Sequence, residues 1–201
     1  MARSTLIASN PAGPAQTAAE RKPAAAANDS AAANAAHTLT REVAARYTWA
    51  AARISLATIF LWAFLDKLFG LGHETASADS WLNGGNPTEG FLSHSVGPFS
   101  GIYQDIAGAT IVNVLFMAGL AAIGVALLSG IAMRFAAAAG ALMMVLMWSA
   151  SLPPENHVFM DDHIIYAIVL IGLALVRAGD TLGLGRIWSE TALVKRLPWL
   201  N

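Results

Sequence analysis

Lys67, Glu155, Asp162 and His163 are the residues whose types and positions could do chemistry. An ammonium, two carboxylates and an imidazole gathered in a site screened from water would bind a polar ligand and exchange protons with it. Lys67 follows Arg53 at a distance that puts it about 20 Å further along a helix, near the far edge of a bilayer core. A bare ammonium there is costly, so Lys67 either reaches outward to water, pairs with an acid to close a bundle, or takes part in binding. Asp161 and Asp162 stand immediately before an apolar run. One of them suits a helix cap and the other the positive end of the helix dipole, worth about 0.3 to 1 kcal/mol. Capping accounts for one acid but not for His163 on the hydrocarbon side, nor for Lys67 and Glu155 at matching depth. Convergence of the four in one pocket is therefore the functional expectation. His157, Asp161 and His163 also offer two imidazoles and a carboxylate, but their spacing is no recognised metal motif, and no metal is assigned.

The elements that must position these groups are apolar. The chain of 201 residues is 56% hydrophobic and 12% charged, with a mean hydropathy of +0.52. Ordinary soluble domains carry roughly 25% charged residues. Apolar residues gather into four runs, at about 54–72, 111–133, 135–152 and 163–178, each near the roughly 17 to 25 residues of a spanning helix, the fourth being shortest. Arg134 alone separates the second and third, and Pro153-Pro154 stop the third. The expected fold class is all-α: a polytopic membrane protein built as a four-helix transmembrane bundle with a long outer loop. Rows of small residues (Ala118, Ala122, Ala126 and Gly130; Ala136 and Gly140) predict close helix contacts.

If the helices alternate, Arg41, Arg46, Arg53, Arg134, Arg177, Arg186, Lys195 and Arg196 fall on one side, and the distribution of basic residues makes both termini cytoplasmic. The other side receives Asp66, Glu74, Asp79, Glu89, Asp105, Glu155, Asp161 and Asp162, with Lys67 as its one base. Residues 1–40, rich in Ala, Pro, Asn and Ser, read as a disordered cytoplasmic tail. Residues 41–180 form the membrane domain. Its outer loop, 73–108, is too long for a connector and carries turn chemistry at Asn83-Gly84-Gly85-Asn86-Pro87 and a short amphipathic helix around Phe99 to Ile106. Residues 181–201 mix Leu, Ile and Trp with Arg186, Lys195 and Arg196, as an amphipathic segment on the cytoplasmic leaflet would.

A net charge of -1 and the lack of a basic face argue against nucleic acid as a partner, leaving membrane lipid and a protein partner. Without cysteine there are no disulfides, no iron-sulfur cluster and no covalently attached haem. Paired mid-helix histidines for an intramembrane haem are missing as well.

Four stretches carry a family resemblance: "RISLATIFLWAFLDKLFGLG", "SWLNGGNPTEGFL", "GALMMVLMWSASLPPENHVFMDDHIIYAIVLIGLAL" and "AGDTLGLGRIW". Over about residues 45 to 190 the chain resembles the DoxX family of small bacterial membrane proteins, which includes relatives of the DoxD subunit of thiosulfate:quinone oxidoreductase. The resemblance implies a four-helix bundle in the bacterial cell membrane and quinone-linked redox on sulfur compounds. It supplies no settled catalytic set. On that reading Trp62, Phe64, Tyr166 and Trp148 would flank a quinone ring, Lys67 would bond a carbonyl, and Asp162 or His163 would exchange its protons.

The acidic outer side would repel a dianion such as thiosulfate unless a partner supplied compensating charge. The chain is thus expected to be a subunit and not a complete oxidoreductase. Two other classes compete: a non-enzymatic scaffold or assembly factor holding a soluble partner through the outer loop, and a small-solute transporter, which would need a polar path across the bilayer.

Overall fold

The computed structural model describes residues 18–154 and 157–200. Among these every regular element is helical: α1 (Ala18–Phe69), α2 (Glu89–Ser93), α3 (Ser100–Asp105), α4 (Thr110–Ser129), α5 (Met133–Ala150), α6 (Asp162–Leu175), α7 (Gly185–Ser189) and α8 (Ala192–Arg196), with short 3-10 turns between them. The all-α expectation holds at that level. Among the described residues three helices are long and apolar enough to cross a membrane, over Asn34–Phe69, Thr110–Ser129 and Met133–Ala150. The fourth expected span is α6, a shorter apolar helix of 14 residues.

The chain divides into two units, Met1–Ala44 and Ala45–Asn201. In the first, helix is present from Ala18 onward, inside the segment read as a tail without regular structure. Alanine, which fills this stretch, has the highest helix propensity of any residue, a local preference that does not depend on burial. Its described side chains are exposed, Leu39 and Val43 included.

In the second unit the core is a single cluster drawn from α1 (Leu56, Ala57, Phe60), α4 (Met117, Leu120, Ile123, Leu127), α5 (Met133, Ala136, Ala137, Met144) and α6 (Ala167, Leu170, Leu173). On α4 the buried positions are Asn113, Met117, Leu120, Ile123, Gly124 and Leu127, three or four apart but for the adjacent Ile123 and Gly124, the spacing that keeps one face toward neighbouring helices. A strict step of four drifts around the helix, which is why Ala118 and Ala122 of the expected small-residue row are exposed. The close approaches fall elsewhere. A methyl group on Gly124 would lie 2.7 Å from Leu61 Cγ, and one on Gly140 2.9 Å from Leu170 Cδ1, so α4 meets α1 and α5 meets α6 at glycines. The opposite faces stay apolar, with Ile111, Leu115, Leu142, Ile168 and Leu175 exposed. A helix apolar on both faces fits lipid on one of them.

α4 and α5 form the expected hairpin, but the turn is Gly130 to Ala132 and Arg134 lies in the first turn of α5. Gly130 sets the end: its φ of 75° is left-handed, and its N–H closes on Ala126 O at 2.8 Å. The segment after residue 181 is broken into α7 and α8. Thr191 divides them, its Oγ1 accepting from Val194 N as the cap of α8.

Candidate functional site

At one end of the bundle α6 begins with Asp161 as its cap, Oδ1 accepting from Ile164 N at 3.3 Å. The other oxygen, Oδ2, lies 2.8 Å from His163 Nδ1 and accepts from Ser151 Oγ at 3.2 Å. One carboxylate thus joins the last residues of α5, the first turn of α6 and an imidazole. Both side chains are largely covered, at 14% exposure for Asp161 and 20% for His163. Burial opposes the Asp161 charge, but hydrogen bonds from His163, Ile164 N–H and Ser151, with the attraction of the imidazole, outweigh it and hold the carboxyl below its ordinary value. A carboxylate at Nδ1 favours the tautomer with the proton there, leaving Nε2 as the acceptor.

Asp162 points outward, 71% exposed, with Oδ1 3.9 Å from His163 Nδ1. Asp161, Asp162 and His163 place ligand atoms within 4.8 Å of one another. His157 does not join them: its Nδ1 accepts from the backbone N–H of Phe159 and Met160 at 3.1 and 3.0 Å, shaping the loop before α6.

Lys67 is placed differently from the expected nest. Its ammonium pairs with Glu74 at 3.3 Å, and among the described residues no hydrogen bond or ion pair joins it to Asp162 or His163. Glu155 lies outside the described residues. The four aromatic candidates are also dispersed. Trp62 is exposed and meets His73 edge-on at 6.3 Å, while Phe64 and Tyr166 pack against the core. Trp148 donates to Phe159 O at 2.8 Å and stacks edge-on against the Phe159 ring at 4.9 Å, pinning the same loop that His157 shapes.

Four side chains whose bonds sequence reasoning passed over hold the 73–108 loop as a cap on the helices. Asp66, 2% exposed, accepts the N–H groups of His73, Glu74 and Thr75 at 3.2, 3.1 and 3.0 Å. It therefore fixes the turn that carries Glu74 to Lys67. Asn113, also buried, accepts from Thr88 N and Oγ1 and donates to Asn86 Oδ1 and Gly108 O. Tyr103 binds Ser149 Oγ and Leu146 O, while Ser95 donates to Ala150 O, so the cap docks on the last turn of α5 beside Ser151. The available signal was a polar residue one turn inside an apolar helix, which must find partners when buried.

At the other end of the bundle Arg53 is fully buried. Its guanidinium donates to Leu127 O and Leu128 O of α4 and to Thr181 O and Leu182 O of the loop after α6. With Gly130 N on Ala126 O and Leu184 N on Ser129 O, all four terminal carbonyls of α4 are satisfied. The sequence had marked Arg53 only as a cytoplasmic base.

Compared with known proteins, the chain matches no family model, no curated protein and no solved structure.

Proposed function

We propose that this chain is a DoxX-like, four-span membrane subunit of a quinone-linked redox system, with both termini cytoplasmic and its polar site at the outer leaflet of a bacterial cell membrane. The observation that carries this reading is the Asp161–His163 pair at the start of α6. An imidazole held at Nδ1 by a largely covered carboxylate presents Nε2 to a partner and can take up or release a proton there. Quinone reduction and oxidation require such a group near the membrane surface. Asp162, exposed 3.9 Å away, connects the pair to water. Lys67, bound to Glu74, shapes the cap, and the ring's partner is His163, whose Nε2 accepts from a quinol hydroxyl and, once protonated, donates to a quinone carbonyl. Sulfur compounds are the donor class that the family resemblance suggests, delivered through a partner that offsets the acidic face.

Extraction of the purified protein with organic solvent, followed by absorbance, tests the reading. Bound quinone, and a rise in melting temperature on adding quinone that His163→Gln abolishes, are the expected results. The absence of both bound quinone and a thermal response would remove it.

A scaffold role is the second reading, favoured by apolar side chains that the cap leaves uncovered: Leu82, Val96, Ile102 and Val158 are 65%, 77%, 64% and 92% exposed. Photocrosslinking from Phe91 to a soluble protein on the outer side would support it.

A further inference from the structure

The end of the bundle opposite the Asp161–His163 pair carries a shallow cleft between α5, α6 and α7, lined by Met133, Arg134, Arg177, Gly179, Asp180 and Trp188. Backbone approaches replace side-chain bulk there: a methyl on Gly130 would sit 2.9 Å from Gly179 O. Two guanidinium groups face one carboxylate. Arg177 Nε pairs with Asp180 at 3.1 Å, which engages none of its terminal N–H groups, and Arg134 makes a single long bond among the described residues, 3.4 Å, to Pro198 O. Exposed bases follow on α7 (Arg186) and α8 (Lys195 and Arg196), with the exposed acid Glu190 between the two helices, and the apolar side chains of Leu182, Leu184, Ile187 and Trp199 are exposed as well.

We propose that this cleft binds the phosphate headgroup of an anionic phospholipid, with Arg134 and Arg177 on the phosphate and the exposed apolar side chains of the α7 and α8 region in the adjoining acyl layer. Three observations converge on that occupant. Among the described residues that line it, the cleft has two guanidinium groups against one carboxylate, an excess of positive charge that suits a phosphate. It lies where apolar helices end, the depth at which headgroups sit. Exposed Leu, Ile and Trp side chains beside exposed bases fit the boundary between headgroups and chains and would be poorly placed in bulk water. Trp188 has its N–H tied to Leu200 O, so its ring forms a fixed wall.

The test uses the full chain in phosphatidylcholine bilayer discs containing a minor fraction of phosphatidylglycerol, with co-released lipid counted by native mass spectrometry. The wild type retains phosphatidylglycerol in preference to phosphatidylcholine. Arg134→Gln reduces that preference about fivefold, the factor expected for one base at the membrane surface, while Arg134→Lys keeps most of it. Should Arg134→Gln not fold, the wild-type preference must still fall as salt is raised. Equal retention by wild type and Arg134→Gln, a preference insensitive to salt, or displacement of the lipid by inorganic phosphate would each overturn the proposal.

Discussion

Asp161 holds His163 through Oδ2 and Nδ1 at 2.8 Å while its other oxygen caps the helix on which that histidine rides. The carboxylate therefore has a folding role and an electrostatic role that different substitutions separate. Asp161→Ala removes the cap as well as the imidazole's partner, and should cost about 1 kcal/mol in stability. His163→Gln leaves the cap in place and should melt near the wild type, yet lose the thermal response to quinone. Thermal melts of both variants, with and without quinone, check the separation.

Acid should weaken this corner in a defined sense. The Asp161 carboxyl titrates below its ordinary value in the folded chain. Its contribution is then fully present above the unfolded value of about 3.9 and is lost as pH falls through the lower folded value. The melting difference between wild type and Asp161→Asn should be constant from neutral pH down to that range and vanish below it. A difference that grew with acidification would contradict the assignment.

Arg53 joins α1 to the end of α4 and to the loop at Thr181 and Leu182. Arg53→Met removes four acceptor contacts and leaves buried carbonyls unpaired, so a loss on the order of 3 kcal/mol is expected. Arg53→Lys, with a single ammonium in place of a planar fork, should recover only part of it. Denaturation in detergent reads both.

Asp66→Asn should loosen the turn at residues 73–75, since a neutral amide accepts backbone N–H groups less strongly than a carboxylate. Hydrogen exchange should rise at His73, Glu74 and Thr75, with little change at Thr88, which Asn113 holds independently. Glu74→Gln, which breaks only the exposed pair with Lys67, should alter stability by less than about 1 kcal/mol.

The absence of native cysteine allows topology to be tested with single thiols. Glu74→Cys and Val158→Cys should both react with an impermeant maleimide from the outer side, and Glu190→Cys should not. Labelling of positions 74 and 158 from opposite sides would dismantle the single outer site.

The helical class and the positions of α4 and α5 were legible because long apolar runs leave few alternatives. Boundaries were less so: Arg134 stood out as a charge, yet Gly130, with its left-handed backbone, sets the turn. Of the candidate site, the Asp161 cap and the proximity of Asp162 and His163 followed from short spacing along one helix start. The partner of Lys67 did not. Many acids on one side were equally available to it, and the choice of Glu74 depends on a turn organised by a third residue, Asp66. The partners of Arg53 were hidden for a related reason, since the carbonyls it serves are brought in by residues far along the chain.

The brevity of α6 reaches beyond the protein itself. Its 14 residues extend about 21 Å, against a hydrocarbon layer of about 30 Å. If α6 is the proposed fourth span, local thinning of the bilayer is one way to accommodate it, and headgroups and water then dip toward His163. A lipid-soluble reactant skirting the bundle would find its shortest route to an aqueous proton at that dimple.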